Sequence, residues 1–245
     1  VTVSFFALAG FIFLVTQYFQ FLKGYGPLET GVRLLPVATM VAISSVIGTQ
    51  LAVRYGTKFV VGGGLTLLSV AYAWVSTASV ETSYLEIAVQ MVLLGSGMGL
   101  TSAPATESIM GAVSNAKAGI GSAVNDTTRE LGGTLGVAVI GSVFVSLYQD
   151  AFSSAALKAI PAAALEPARD SIGGALIAAG RLTEGGATQA AASLTQVASD
   201  GFFDGMAAGC LVASAVCAVG AIICFAILPA QPQEAPEELP SGEPS

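Results

Sequence analysis

GSAVNDTTRELGGTLGVAVIGSVF, residues 121–144, is apolar and glycine-rich throughout except at Asp126, Arg129 and Glu130. Charges are costly in a segment of this kind, and where they persist they face a cavity or a partner rather than lipid. At helical spacing Asn125, Arg129, Gly132 and Gly136 recur every three or four residues and share one face. Asp126 and Glu130 lie together on the adjoining face. Arg129 is three residues from Asp126, close enough to pair. The two carboxylates, four apart, repel if both are ionised.

The rest of the chain has the same character. Of its 245 residues 53% are hydrophobic and only 10% charged, with a mean hydropathy of +0.75. Soluble domains carry about 25% charged residues, so the composition points to a bilayer. There is no histidine, which removes the commonest metal ligand and the usual catalytic base. A net charge of −7 lacks the basic footprint that nucleic acid requires. Cys210, Cys217 and Cys224 fall on one helical stripe, roughly 10 Å apart, too far for disulfides within that helix; they read as small residues at a packing face, and no metal motif is present. The chain begins at Val1 inside an apolar run, with no charged n-region or cleavage site. It therefore reads as a piece of a longer protein rather than as a signal peptide.

A bilayer core of about 30 Å needs roughly 20 apolar residues per helix. Six stretches qualify: about 1–22, 31–53, 59–78, 84–110, 118–148 and 202–228. Pro36 falls in the second and Pro104 breaks the fourth. Trp74 reads as an interface anchor. The loop 149–201 is long, Ala-rich and polar, and its EPARDSIGGALIAAGRL has helical patterning, so short helices outside the bilayer are expected there. The acidic, Pro-rich tail 229–245 is expected to be disordered. Six spans place both ends on one side, and Arg54, Lys58 and Lys117 against Lys23 and Arg33 lean toward the inside for them. No soluble catalytic domain fits in what remains. The chain reads as a transporter and not an enzyme.

TQYFQFLKGYGPLETGVRLLPVA (residues 16–38) resembles the start of the C-terminal half of the fourteen-helix drug:proton antiporters of the major facilitator superfamily. GMGLTSAPATESIMGAV (97–113) and AGIGSAVNDTTRELGGTLGVAVIGSV (118–143) are similar too, the latter with Asn125, Arg129, Gly132, Gly133 and Gly136 in the family's spacing. LAVRYGTK (51–58) resembles the degenerate second copy of the superfamily's cytoplasmic loop motif: Arg54, Gly56 and Lys58 agree, while Val53 replaces the acidic residue. The resemblance implies an all-α membrane protein whose six transmembrane helices form one half of a major-facilitator fold, built as two inverted three-helix repeats. It implies a multi-pass protein of the plasma (inner) membrane with both ends of this segment cytoplasmic. The expected partners are the lipid bilayer, a small lipophilic or cationic substrate and the missing N-terminal half of the same transporter, with no nucleic acid. The proton gradient supplies the energy and no cofactor is expected.

Export of lipophilic or cationic drugs by alternating access is the function so implied. The alternatives are an exporter of an endogenous lipid, siderophore or antibiotic, or a non-transporting six-helix remnant. Candidates for the substrate or proton pathway are Asn125, Asp126, Arg129, Glu130, Gln17, Tyr18, Gln20, Gln90 and Glu107. Arg129 either lines the cavity or snorkels to the interface with Glu130 beside it. Glu107 either contacts the cavity or Arg129, or is a solvated helix end. Gln17 and Gln20 flank Tyr18, whose ring suits an organic cation or an interface anchor. Asp204 belongs to the outer mouth of the last helix. Gly95, Gly97, Gly99, Gly132 and Gly136, with Gly62 to Gly64, read as close helix contacts, and Pro104 as a break among them.

Overall fold

The computed structural model describes residues 1–153 and 160–228, and all of its regular structure there is helical. Helix α1 (Thr2–Gln17) continues into a π-helical turn (Tyr18–Leu22); α2 (Pro27–Arg33), α3 (Leu35–Tyr55), α4 (Thr57–Val75), α5 (Tyr84–Gly111), α6 (Ala118–Ala151), α7 (Ala162–Asp170), α8 (Ile172–Glu184) and α9 (Thr188–Ile227) follow. Six of these helical stretches are long and apolar enough to cross a membrane: α1 with its π turn, α2–α3, α4, α5, α6 and α9. The chain is a multi-pass membrane protein. The tail, 229–245, lies outside the described residues.

Several boundaries differ from the sequence reading, each for a local reason. The second span breaks at Leu34 because Pro36 sits in the first turn of α3, where its missing N–H leaves no bond unmade. Pro104 does not interrupt α5, which runs unbroken to Gly111. The largest change is at α9, which starts at Thr188 rather than 202. Its first turns are rich in Ala, Ser, Thr and Gln, so hydropathy registers the membrane crossing but not the helix. Asp204 is therefore well inside α9, on an exposed face, and not at its mouth. Within the former loop, α7 and α8 are separated by extended Ser171, whose Oγ caps α8 by accepting from Gly174 N at 3.0 Å.

Helices α3 and α4 meet through one residue. Gly56 closes α3 and opens α4 with φ 94°, a conformation that side chains disfavour, and its N–H returns to Ala52 O at 2.9 Å. That turn lies at one end of the bundle with the start of α1, the 3₁₀ turn at Asn115–Lys117 and the end of α9 (the terminal end below). The loops after α1 and α4 and the α7–α8 pair lie at the other.

The helices pair across two three-helix repeats, α1–α3–α4 and α5–α6–α9. Extensive contacts join α3 with α5, α1 with α6, and α4 with α9, beside those of α4 with α5 and α6 with α9. Exchanging the repeats maps the first two pairs onto each other and the third onto itself, as inverted repeats require. Lipid removes the hydrophobic drive between such helices, so small residues and hydrogen bonds hold them. Gly95 and Gly99 of α5 lie against α3, where an added Cβ would come within 2.5 Å of Val37 O and 2.6 Å of Val41 O. Gly132 and Gly136 of α6 lie on Thr2 O and Phe6 O of α1, where a methyl group has no room. Gly64 and Gly97 cross reciprocally between α4 and α5, and Gly62 receives the Phe225 ring, whereas Gly63 has no neighbour within 4 Å and packs nothing. In the interior, Tyr72 Oη donates to Ala7 O at 2.6 Å, and Ser214 Oγ to Ser69 O at 2.8 Å.

Candidate transport site

Helix α6 buries a narrow stripe: Gly121, Asn125, Gly132, Gly136, Ile140, Phe144 and Tyr148. The glycines bring its backbone onto α1, and this seam carries the Arg129 side chain. Arg129 Nη2 donates to Thr106 Oγ1 at 3.0 Å, and Thr106 Oγ1 donates in turn to Asn125 Oδ1 at 3.2 Å. The guanidinium lies 5.1 Å from the centre of the Phe5 ring. Its Nε is buried and has no hydrogen-bond partner.

Arg129 pairs with neither neighbouring acid. Among the described residues the one ion pair is Arg33–Glu29, at 2.8 Å. Asp126 and Glu130 are both exposed, on the side of α6 turned away from the bundle. The shared face of Asn125, Arg129, Gly132 and Gly136 is thus a helix-packing seam, and the open face belongs to the two carboxylates. The reading of Arg129 as pairing with Asp126 is corrected accordingly: the side chain leans toward α5 and α1, because Thr106 and Phe5 lie there.

Arg129 has one interhelical hydrogen bond, worth about 0.6 kcal/mol, and a ring face, worth about 0.5–2 kcal/mol, while its buried Nε has no protein partner.

The other candidates scatter. Glu107 is exposed at the terminal end of α5 and accepts from Thr49 Oγ1 of α3 at 3.1 Å, so it does not reach Arg129. Gln17 Nε2 turns back to Phe13 O of its own helix at 3.4 Å, and Gln20 is half-buried beside it. Tyr18 and Gln90 are buried inside the bundle, away from the α6 cluster. Arg54 stacks near Tyr55 at 5.6 Å, and the carbonyl of Lys58 accepts from Cys224 Sγ at 3.5 Å, both beside the Gly56 turn. Pro104 is buried against Gly48 of α3. Sequence reasoning missed Thr106, Phe5 and Thr49. Thr106 adjoins Glu107 and was within sight of a search for polar residues in apolar helices. Phe5 carries no signal in an apolar run.

The membrane-spanning helices form two inverted triplets, with a polar cluster at a glycine-tight seam. Residues 1–137 match the Major Facilitator Superfamily, and the chain belongs to that family. It is 31% identical over 96% of its length to the tetracenomycin C resistance and export protein of Streptomyces glaucescens, of which it covers 44%. It is 30% identical over 76% of its length to the multidrug efflux pump LfrA of Mycolicibacterium smegmatis, covering 36% of that protein. Over 58% of its length it is 35% identical to the multidrug resistance protein Stp of Mycobacterium tuberculosis. The chain thus spans less than half the length of these relatives. All three relatives are named for resistance or efflux.

Proposed function

We propose that this chain forms the C-terminal half of a proton-coupled secondary transporter that exports lipophilic or cationic compounds by alternating access. The observation that carries the reading is the separation of charge on α6. Arg129 is tied to Thr106 and Asn125, which leaves Asp126 and Glu130 exposed and unpaired on the open face. Two carboxylates four residues apart on one helix suit a site that exchanges a proton for a cation. The exposed apolar surfaces of α3 and α6 suit lipid and a second six-helix bundle, which supplies the other wall of the cavity. The plasma membrane is the proposed location, with the terminal end cytoplasmic, the proton gradient as the energy source, and no bond-making chemistry.

The test is efflux of a fluorescent lipophilic cation from cells expressing the full-length protein. Arg129→Ala lowers efflux about tenfold or more with the amount in the membrane unchanged. Asp126→Asn with Glu130→Gln removes the dependence on the pH gradient. Normal, gradient-dependent efflux by both variants would refute the assignment. A second reading, export of an antibiotic, draws on the Streptomyces glaucescens relative, which matches nearly the whole chain. The same assay run with tetracenomycin C as competitor separates the two by which compound competes.

A further inference from the structure

At the end of the bundle opposite the terminal end, one guanidinium rests on two aromatic rings. Arg33, the last residue of α2, lies 3.9 Å from the centre of the Tyr25 ring and 4.8 Å from that of Tyr84. Its Nε and Nη2 donate to Glu29 Oε1 at 3.2 and 2.8 Å. Two rings and a carboxylate around one cation are the parts of an organic-cation site. They come from separate segments: Tyr25 from the linker after the π turn, Glu29 from α2, and Tyr84 from the first residue of α5.

The walls of this cage stand without the guanidinium. Both rings pack beside the buried Phe19 ring, at 5.7 and 6.5 Å between centres. The Tyr25 N–H donates to Phe19 O at 2.9 Å, and Tyr84 Oη donates to the backbone carbonyl of Arg33 at 3.2 Å. None of these contacts uses the Arg33 side chain. The occupant is held more loosely than the walls: the Arg33 and Glu29 side chains are 28% and 49% exposed, and exposed ion pairs one helical turn apart are weak. Lys23, the other cation of that linker, does not compete, because its Nζ donates to Val80 O and Thr82 O at 3.0 and 3.2 Å. We propose that Tyr25, Tyr84 and Glu29 form a peripheral site for a small organic cation such as a quaternary ammonium. Arg33 is its tethered occupant, and swings out when the free ion enters. A tethered competitor acts at an effective concentration in the millimolar range, so the ion binds more weakly than the cage alone allows. The two rings belong to different repeats, and an ion held there bridges the linker after α1 and the start of α5.

The site does not rest on the transport reading, and binding alone tests it. The measurement is saturation-transfer NMR of tetramethylammonium with the purified full-length protein in a neutral maltoside detergent. Wild type is expected to bind the ion weakly, and Arg33→Ala at least about threefold more tightly, because the tethered competitor is gone. In the Arg33→Ala background, Tyr25→Phe and Tyr84→Phe keep their rings and keep the binding. Tyr25→Leu and Tyr84→Leu lose the ring face, and each weakens binding at least about threefold. Equal affinity in wild type and Arg33→Ala overturns the proposal. So does a wild type that takes up no ion, since Arg33 then never yields. Loss of binding in the Phe variants, or its survival with Leu at both positions, overturns it as well.

Discussion

The α3–α5 and α1–α6 seams occupy equivalent places in the two repeats but are built differently. In both, two glycines four residues apart lie on two carbonyls four residues apart, and in both the glycines come from the second repeat. The α3–α5 seam then stays tight. Gly48 continues it against the Leu100 backbone, where a Cβ would come within 3.1 Å, and Pro104 packs beside it. The α1–α6 seam changes character along its length. Past Gly136 the glycine comes from α1 instead, Gly10 lying directly on the Ile140 side chain, and beyond it are rings: Phe13 and Phe144 meet edge-on at 6.1 Å, and Phe144 stacks on Tyr148 at 6.0 Å. Its terminal end holds Arg129, whereas near that end of the other seam Glu107 is bonded to Thr49. One seam is a uniform weld of backbone on backbone. The other is charged at the terminal end and passes through a side-chain contact to rings.

The largest test of that difference is at the weld. Gly99→Leu drives side-chain atoms into Val41 O and Ser45 N, and the chain should fail to accumulate in membranes. Accumulation at wild-type level would show that the seam yields. Next, Gly136→Ala and Gly141→Ala on the same helix should separate. The first meets the Phe6 backbone and should cost about 1–3 kcal/mol in detergent unfolding. The second, whose nearest neighbour is Phe13 at 3.8 Å, should be neutral. Equal losses would mean that these two positions of α6 are packed alike. Thr106→Val removes the one hydrogen bond to the Arg129 guanidinium, and a cost near 0.6 kcal/mol is expected, with efflux lowered severalfold. The smallest effect falls at the other seam, where Thr49→Val frees an already exposed Glu107 and should leave both stability and efflux near wild type. A large loss there would erase the functional contrast between the seams.

Much of this architecture was legible in the sequence, because bilayer thickness fixes the length of apolar runs and the family resemblance fixes their order. The faces of α6 were legible too: 3.6-residue periodicity places Asn125, Arg129, Gly132 and Gly136 together. What those faces meet was not legible. A glycine at a given spacing announces a close neighbour without naming it, so the packing of the Arg129 face on α1 and α5 could not be read from it. Asp126 beside Arg129 looked like a partner by distance along the helix alone, while the deciding group, Thr106, comes from another helix 23 residues away. The start of α9 escaped for a different reason, since helix and membrane crossing are separate properties and hydropathy measures only the second.

The Gly56 turn carries a mechanical consequence. One residue between α3 and α4 leaves no slack, so a tilt of α3 is handed directly to α4 and, through the Ser69–Ser214 contact, to α9. The equivalent connection in the second repeat, between α6 and α9, contains all of α7 and α8, and there the two helices are coupled by packing directly on each other. One repeat thus ties its last two helices through the backbone, the other through side chains.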